Sequence, residues 1–333
     1  MNLFCQETIM NHLKILWQPV NEGCRILEVF GNHSEVRIPD IINGLPVTEI
    51  GPYCFAETKR EISGEYFTLF SNAAKTGEYF PLRGKSVEKI ILPASVRTLH
   101  NAAFYNCRKL HTLSVGNEIC AIGSDEFTNC GHLTKLIYRG HPSFVPGLSL
   151  ILERIETDLN VIFTTDAEAQ IQGALFFPEY YEWLDEISPA HIFSRSIHGE
   201  GFRMRKSIQE NQVDYHKYDS CFENACRIES GRVLCRIALN RLRWPDSLGV
   251  DFRASYESIL QKHFETAVSL AVTERDFALL SYLFTECSPN TISFTLATQQ
   301  AIDAGWGEGA AFLMDAQNKH RKAIPKDFSF DDF

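Results

Sequence analysis

The apolar positions between residues 87 and 138 recur at one spacing. Leu99, Phe104, Cys107, Leu110 and Leu113 return 23 residues later as Ile122, Phe127, Cys130, Leu133 and Leu136. A looser copy runs from Val36-Arg37-Ile38-Pro39 through Ile50-Gly51 to Phe55. A period of about 20–29 residues marks a solenoid, in which a single coil cannot bury its own apolar face and does so against its neighbours. Each coil carries an apolar–x–apolar triplet: Val36-x-Ile38, Ile90-x-Leu92, Leu113-x-Val115 and Leu136-x-Tyr138. Such a triplet reads as a half-buried strand of period two. Three or four coils stacked in this way predict a small parallel sheet. Its outward positions are Glu35, Arg37, Lys89, Ile91, Thr112, Ser114, Lys135 and Ile137, and these are candidate partner contacts.

Residues 24–38 read as two short strands around a Gly31-Asn32 turn, placed to cap the N-terminal end of the array. Phe55 and Phe104 stand 49 residues apart, so the stretch 57–85 interrupts the repeat. Insertions in repeat proteins map to loops on one face, often the binding face. This one contains Tyr66, Phe67 and Phe70. It either offers these rings to a partner or folds them back over the flank of the coils.

Beyond Pro142 and Pro146 the pattern stops. Leu148–Ile155 has helical spacing, while Leu159–Phe163 and Ala174–Pro178 read as strands. After Gly201 apolar residues fall at three- and four-residue intervals, predicting helices over 216–228, 230–243, 251–272, 274–285, 291–304 and 306–320. Ala271, Val272, Leu280 and Leu283 are echoed 30 residues later by Ala301, Ile302, Ala310 and Leu313, which suggests stacked helix pairs. The expected fold class is α/β. A solenoid with its cap and insertion occupies residues 1–145, an α/β connector 146–198, and an all-α domain 199–333.

The string Ile38-Pro39 to Gly51 and Phe55 resembles the start of BspA-like leucine-rich repeats. So does Leu92-Pro93-Ala94-Ser95-Val96 leading to Ala103-Phe104 and Cys107-Arg108-Lys109-Leu110. The final helices resemble the helical tails that follow such repeats in bacterial proteins of unassigned function. The resemblance covers about residues 24–140. It implies a bacterial solenoid used for protein contact, and a role as a cell-surface adhesin in members with a known role.

Composition narrows the function. No stretch reaches the roughly 18–20 apolar residues of a membrane span. The first twenty residues lack a basic start followed by an apolar run, so a cytoplasmic location is expected. The net charge is −10. Residues 147–198 alone carry 2 basic and 9 acidic side chains, read as a solvated face. A neutral-to-acidic surface repels phosphate backbones, and nucleic-acid binding is not expected. Ten cysteines without a CxxC pair give neither a disulfide scaffold nor a zinc signature. Cys107 and Cys130 are expected as free thiols one coil apart.

The motifs of nucleophilic catalysis and phosphate or dinucleotide loops are absent from the sequence. We therefore expect no catalytic residue, no cofactor and no metal. Gly199 to Lys206 combines a flexible turn with three cations, read as a domain joint that salt-bridges to residues 147–198, with anion binding as the alternative. Arg232, Arg236 and Arg243 form a basic stripe, for docking onto that segment or for a partner. The aromatic run Phe176 to Trp183 reads as core shared by two domains. The expected function is non-catalytic binding of a protein, with the oligomeric state left open. A surface carbohydrate- or host-binding adhesin and an enzyme with a site between solenoid and helices are the alternatives.

Overall fold

The computed structural model describes residues 12–58, 60–70, 78–165, 170–187, 192–287 and 291–323. The first part of the chain forms strands β1 (Lys14–Val20), β2 (Gly23–Gly31), β3 (Glu35–Arg37), β4 (Ile41–Ile42), β5 (Leu45–Ile50), β6 (Phe67–Phe70) and β7 (Phe80–Pro81). Next come β8 (Lys89–Ile91), β9 (Thr98–Leu99), β10 (Thr112–Gly116), β11 (Ala121–Ile122) and β12 (Lys135–Arg139). Helix α1 (Leu148–Leu152) precedes β13 (Leu159–Thr164), β14 (Ile171–Phe177), β15 (Tyr181–Ile187) and β16 (Ile192–His198).

Two sheets form the walls of the solenoid. One has the order β14-β13-β12-β10-β8-β3, and the other β11-β9-β5-β2-β1-β6. In the first, Val36, Ile90, Leu113, Leu136 and Val161 lie in register on successive parallel strands. Ile90, Leu113 and Leu136 are fully buried. Between the walls the repeated aromatics stack: Phe55 on Phe104 at 5.5 Å and 6°, and Phe104 on Phe127 at 5.4 Å and 4°. The thiols form a parallel ladder, with Cys107 Sγ donating to Phe55 O at 3.1 Å and Cys130 Sγ to Phe104 O at 3.0 Å. At the coil corners Asn106 and Asn129 both take φ near +60°, a region asparagine tolerates. Asn129 Nδ2 donates to Asn106 Oδ1 at 2.7 Å.

One feature differs from the sequence expectation, and one selects between its alternatives. The strands around Gly31-Asn32 do not pair with each other: β2 lies between β1 and β5, while β3 joins β8 in the other sheet. Residues 32–34 therefore cross from one wall to the other, a path that alternation of apolar residues within each strand does not reveal. The insertion also returns to the solenoid, because β6 pairs antiparallel with β1 and β7 with β2. The acidic stretch continues the repeat sheet, with β13 parallel to β12 and β14 antiparallel to β13.

The remainder comprises α2 (Gly201–Arg205), the short strands β17 (Ile208–Gln209) and β18 (Gln212–Val213), α3 (Tyr215–Ser220), α4 (Phe222–Ile228), α5 (Gly231–Arg243), α6 (Val250–Lys262), α7 (Phe264–Thr273), α8 (Phe277–Glu286), α9 (Thr291–Asp303) and α10 (Gly307–Ala323). The chain divides into two compact units. The repeat unit ends at Glu229 and includes Trp244–Leu248; the helical unit holds Ser230–Arg243 and the chain from Gly249 on. Helices α2–α4 thus belong with the repeats, although the sequence places the change of character at residue 199. The reason is local: Tyr218 accepts from Phe176 N at 3.2 Å and donates to Phe176 O at 2.5 Å, and Arg205 binds three carbonyls of the connector.

Within the helical unit α7 packs on α8 and α9, and α10 on α9 and α8. The two helix pairs turn alike. Asp276 N donates to Ala271 O at 2.9 Å, and Trp306 N to Ala301 O at 2.8 Å. The left-handed residue of the turn is Arg275 in one and Gly305 in the other. Arg236 of the basic stripe pairs with Glu274, and Arg243 lies 3.8 Å from Asp276.

Candidate protein-contact surface

Strand β14 ends at Pro178, which has no N–H to continue a ladder. The backbone is held there by Glu179 N donating to Asp158 Oδ1 at 2.7 Å and Tyr180 N to Glu156 O at 3.0 Å. Tyr180 is buried, and burial pushes its hydroxyl pKa up. From Tyr181 the chain leaves this anchor as the antiparallel ribbon β15–β16, a sheet of two strands among the described residues. Its register pairs Tyr181 with His198, Trp183 with Ser196, Glu182 with Ile197 and Leu184 with Arg195. Tyr181 and Trp183 therefore project from one face, and Leu184 and Ile197 from the other.

Both faces meet solvent. Tyr181 is 51 %, Trp183 55 %, Leu184 66 % and Ile197 38 % exposed. Local contacts keep these side chains oriented. The Tyr181 ring stacks on His198 at 5.0 Å, Trp183 Nε1 donates to Asp185 Oδ1, and Arg195 pairs with Glu182. A two-stranded ribbon with open faces is at best marginally stable by itself. The aromatic run 176–183, read from the sequence as shared core, is split by the structure: Phe176, Phe177 and Tyr180 are buried and Tyr181 and Trp183 are not. Leu184 and Ile197 escaped sequence reasoning. The signal was the alternation of Tyr181, Trp183 and Asp185 against Glu182, Leu184 and Glu186, which marks a strand with two usable faces.

The insertion supplies a second aromatic edge. Among the described residues β6 is the last strand of its sheet, and Tyr66 and Phe67 are each 49 % exposed. Phe67 lies 5.3 Å from Trp17, and half-buried Phe70 lies 5.8 Å from Tyr79. Phe67 and Phe70 thus fold back on neighbouring rings, while Tyr66 and Phe67 remain exposed.

The outward strand positions share one sheet as expected, but they are not equally accessible. Arg37 is exposed, and Glu35, Lys89 and Lys135 are half-buried. Lys89 Nζ pairs with Glu35 at 2.9 Å. Ile91, Thr112, Ser114 and Ile137 are buried, a departure from the sequence expectation. Period-two alternation assigns a side chain to a side of the sheet and says nothing of its exposure.

Elsewhere on the repeat unit, Arg25 and His100 both reach Glu49, at 2.5 Å and 2.8 Å. Burial opposes ionisation of Glu49, but these two partners outweigh it and hold its carboxyl below the ordinary range. Among the described residues no group of three His, Cys, Asp or Glu side chains could hold a metal ion, and no helix is long and apolar enough to cross a membrane.

Comparison with known proteins bears on the repeats alone. Residues 29–145 match the BspA type leucine-rich repeat region in six copies, more than the three or four coils legible from the 23-residue spacing. No curated protein and no solved structure matches the chain. Leucine-rich repeats commonly serve as protein-interaction modules. The solenoid walls, the stacked phenylalanines and the matched copies together make residues 29–145 a BspA-type leucine-rich-repeat region, followed by a helical C-terminal region.

Proposed function

We propose that the chain is a non-catalytic module that binds another protein in the bacterial cytoplasm, and that the β15–β16 ribbon is its principal contact. The observation that carries this reading is the exposure of Tyr181, Trp183, Leu184 and Ile197 on a ribbon anchored at its base by Pro178 and Tyr180. Aromatic side chains brought to an interface contribute large contact area at small entropic cost, and such residues dominate measured interface energies. Tyr66 and the β6 residues Phe67 and Phe70 form a secondary contact, and Arg37, Glu35, Lys89 and Lys135 give the repeat sheet a charged margin. Ile91, Thr112, Ser114 and Ile137 complete that sheet behind the margin. The thiols of Cys107 and Cys130, both serving as donors inside the coils, suit a reducing compartment.

The test is capture from the native cytoplasm on the immobilised full chain. The doubly substituted ribbon, Trp183→Ser with Leu184→Ser, is compared with Val250→Ser, a control at a site 82 % exposed in the helical unit. A stoichiometric protein retained by the control and lost from the ribbon variant supports the reading. Retention by the ribbon variant, with loss on Tyr66→Ser and Phe67→Ser, transfers the contact to β6. Capture of no stoichiometric protein refutes the proposal.

A further inference from the structure

One open hollow of about 270 Å³ on the repeat unit holds a combination of charges that the folding contacts do not use up. Its floor is Glu200, fully buried and a lining residue. One carboxylate oxygen, Oε2, accepts from Asn224 Nδ2. The other, Oε1, has no hydrogen-bond partner but forms an ion pair with Arg203 Nε at 3.5 Å. A buried carboxylate oxygen without a hydrogen bond is costly, and a donor arriving from outside would lower that cost.

The walls carry the opposite sign. Arg203, Lys206 and Lys217 line the same hollow. Lys206 Nζ already faces Glu153 at 3.0 Å, whereas Lys217 has no ion pair among the described residues. Arg205 of the same basic run is not available, since its Nε, Nη1 and Nη2 each donate to a backbone carbonyl. A plain anion would meet these cations and also the Glu200 carboxylate. A plain amine would meet Glu200 and be repelled by the walls. A ligand carrying both groups satisfies both.

We propose that this hollow binds a small zwitterion in which a protonated amine sits a few bonds from a phosphate monoester. The ammonium donates to Glu200 Oε1, and the phosphate dianion lies among Arg203, Lys206 and Lys217. The charge count selects phosphate over carboxylate: with Lys206 paired to Glu153 and Arg203 to Glu200, Lys217 leaves one net positive charge, which an ammonium–phosphate zwitterion with a single net negative charge balances and a neutral amino acid does not. No bond is made or broken; the site is a binding site. It is independent of the ribbon, so loss of one leaves the other intact.

The probe is O-phosphoethanolamine, titrated calorimetrically into the full chain at low ionic strength, with inorganic phosphate and ethylamine as single-charge comparators. Binding of the zwitterion about tenfold or more tighter than either comparator is expected, since charge-assisted hydrogen bonds are formed at both ends. Glu200→Gln should abolish the advantage over inorganic phosphate, weakening the zwitterion and strengthening phosphate, which no longer meets the carboxylate and gains the released Arg203. Lys217→Glu, at a half-buried surface position whose replacement does not enter the core, should weaken zwitterion and phosphate alike, and it keeps the test decisive if Glu200→Gln fails to fold. Phosphate binding as tightly as the zwitterion, no binding of either, or an affinity for the zwitterion indifferent to Lys217→Glu overturns the proposal.

Discussion

Replacing Arg205 by Met tests whether the joint between repeats and α2 is held by hydrogen bonds to a buried charge or by packing alone. The guanidinium is 4 % exposed. Its Nε donates to Ile155 O at 2.9 Å, Nη1 to Pro178 O at 2.5 Å and Nη2 to Thr157 O at 2.7 Å. It also lies 5.0 Å from the Tyr180 ring centroid and 5.9 Å from that of Phe177. Burial lowers its pKa to about 10, so the charge itself opposes folding at neutral pH. That penalty disappears only as pH rises above about 10, where the unfolded chain would still hold the proton. Methionine retains the aliphatic stem and removes every donor. Three carbonyls left without partners cost about 1–3 kcal/mol each, and relief from burying the charge returns several kcal/mol of this. With about 2 kcal/mol for each carbonyl and about 3 kcal/mol returned by removal of the buried charge, the net loss is about 3 kcal/mol. Urea unfolding followed by near-ultraviolet circular dichroism should show the midpoint of the repeat unit falling at unchanged slope. Arg205→Lys should recover little, because one ammonium cannot reproduce the planar fork. A midpoint change worth less than about 1 kcal/mol for Arg205→Met would refute the hydrogen-bond account.

Two further substitutions probe the coils. Glu126 is fully buried with neither carboxylate oxygen hydrogen-bonded, and burial lifts its pKa above the ordinary value. A raised folded pKa means that the stability this group allows is complete in acid and is lost as pH rises through the lifted value. Glu126→Gln should therefore stabilise by about 1–2 kcal/mol at pH near 7 and by little at pH near 4; equal shifts in urea midpoint at both pH values would contradict this. Phe104, fully buried between Phe55 and Phe127, should cost about 3–5 kcal/mol on replacement by alanine, read as a lowered midpoint of the same transition.

The inward rows were legible from the sequence because they obey two strict periods at once, two within a strand and 23 between coils. Phe104 and Phe127 could be placed in adjacent layers without coordinates. The helix pairs were equally plain from Ala271 and Ala301. What stayed hidden involved a partner in space rather than a spacing. Nothing in Thr112 or Ser114 tells that they are buried. Arg205 looks like its exposed neighbours Arg203 and Lys206 until three carbonyls converge on it. Tyr181 and Trp183 look like core because they follow Phe176 and Phe177, and only the end of the ladder at Pro178 separates the two groups. Glu126 stands where the preceding coil has Ala103, and a single carboxylate at an alanine position was the one available hint.

The reversal of strand direction at β14 sets how such an array can lengthen. Up to β13 every strand of that wall offers its successor a parallel edge, so a further unit could be accepted anywhere before Leu159. Beyond it the edge runs the opposite way and cannot template the same coil. A further coil of the same kind would thus enter before Leu159, with antiparallel β14 kept as the closing edge of that wall.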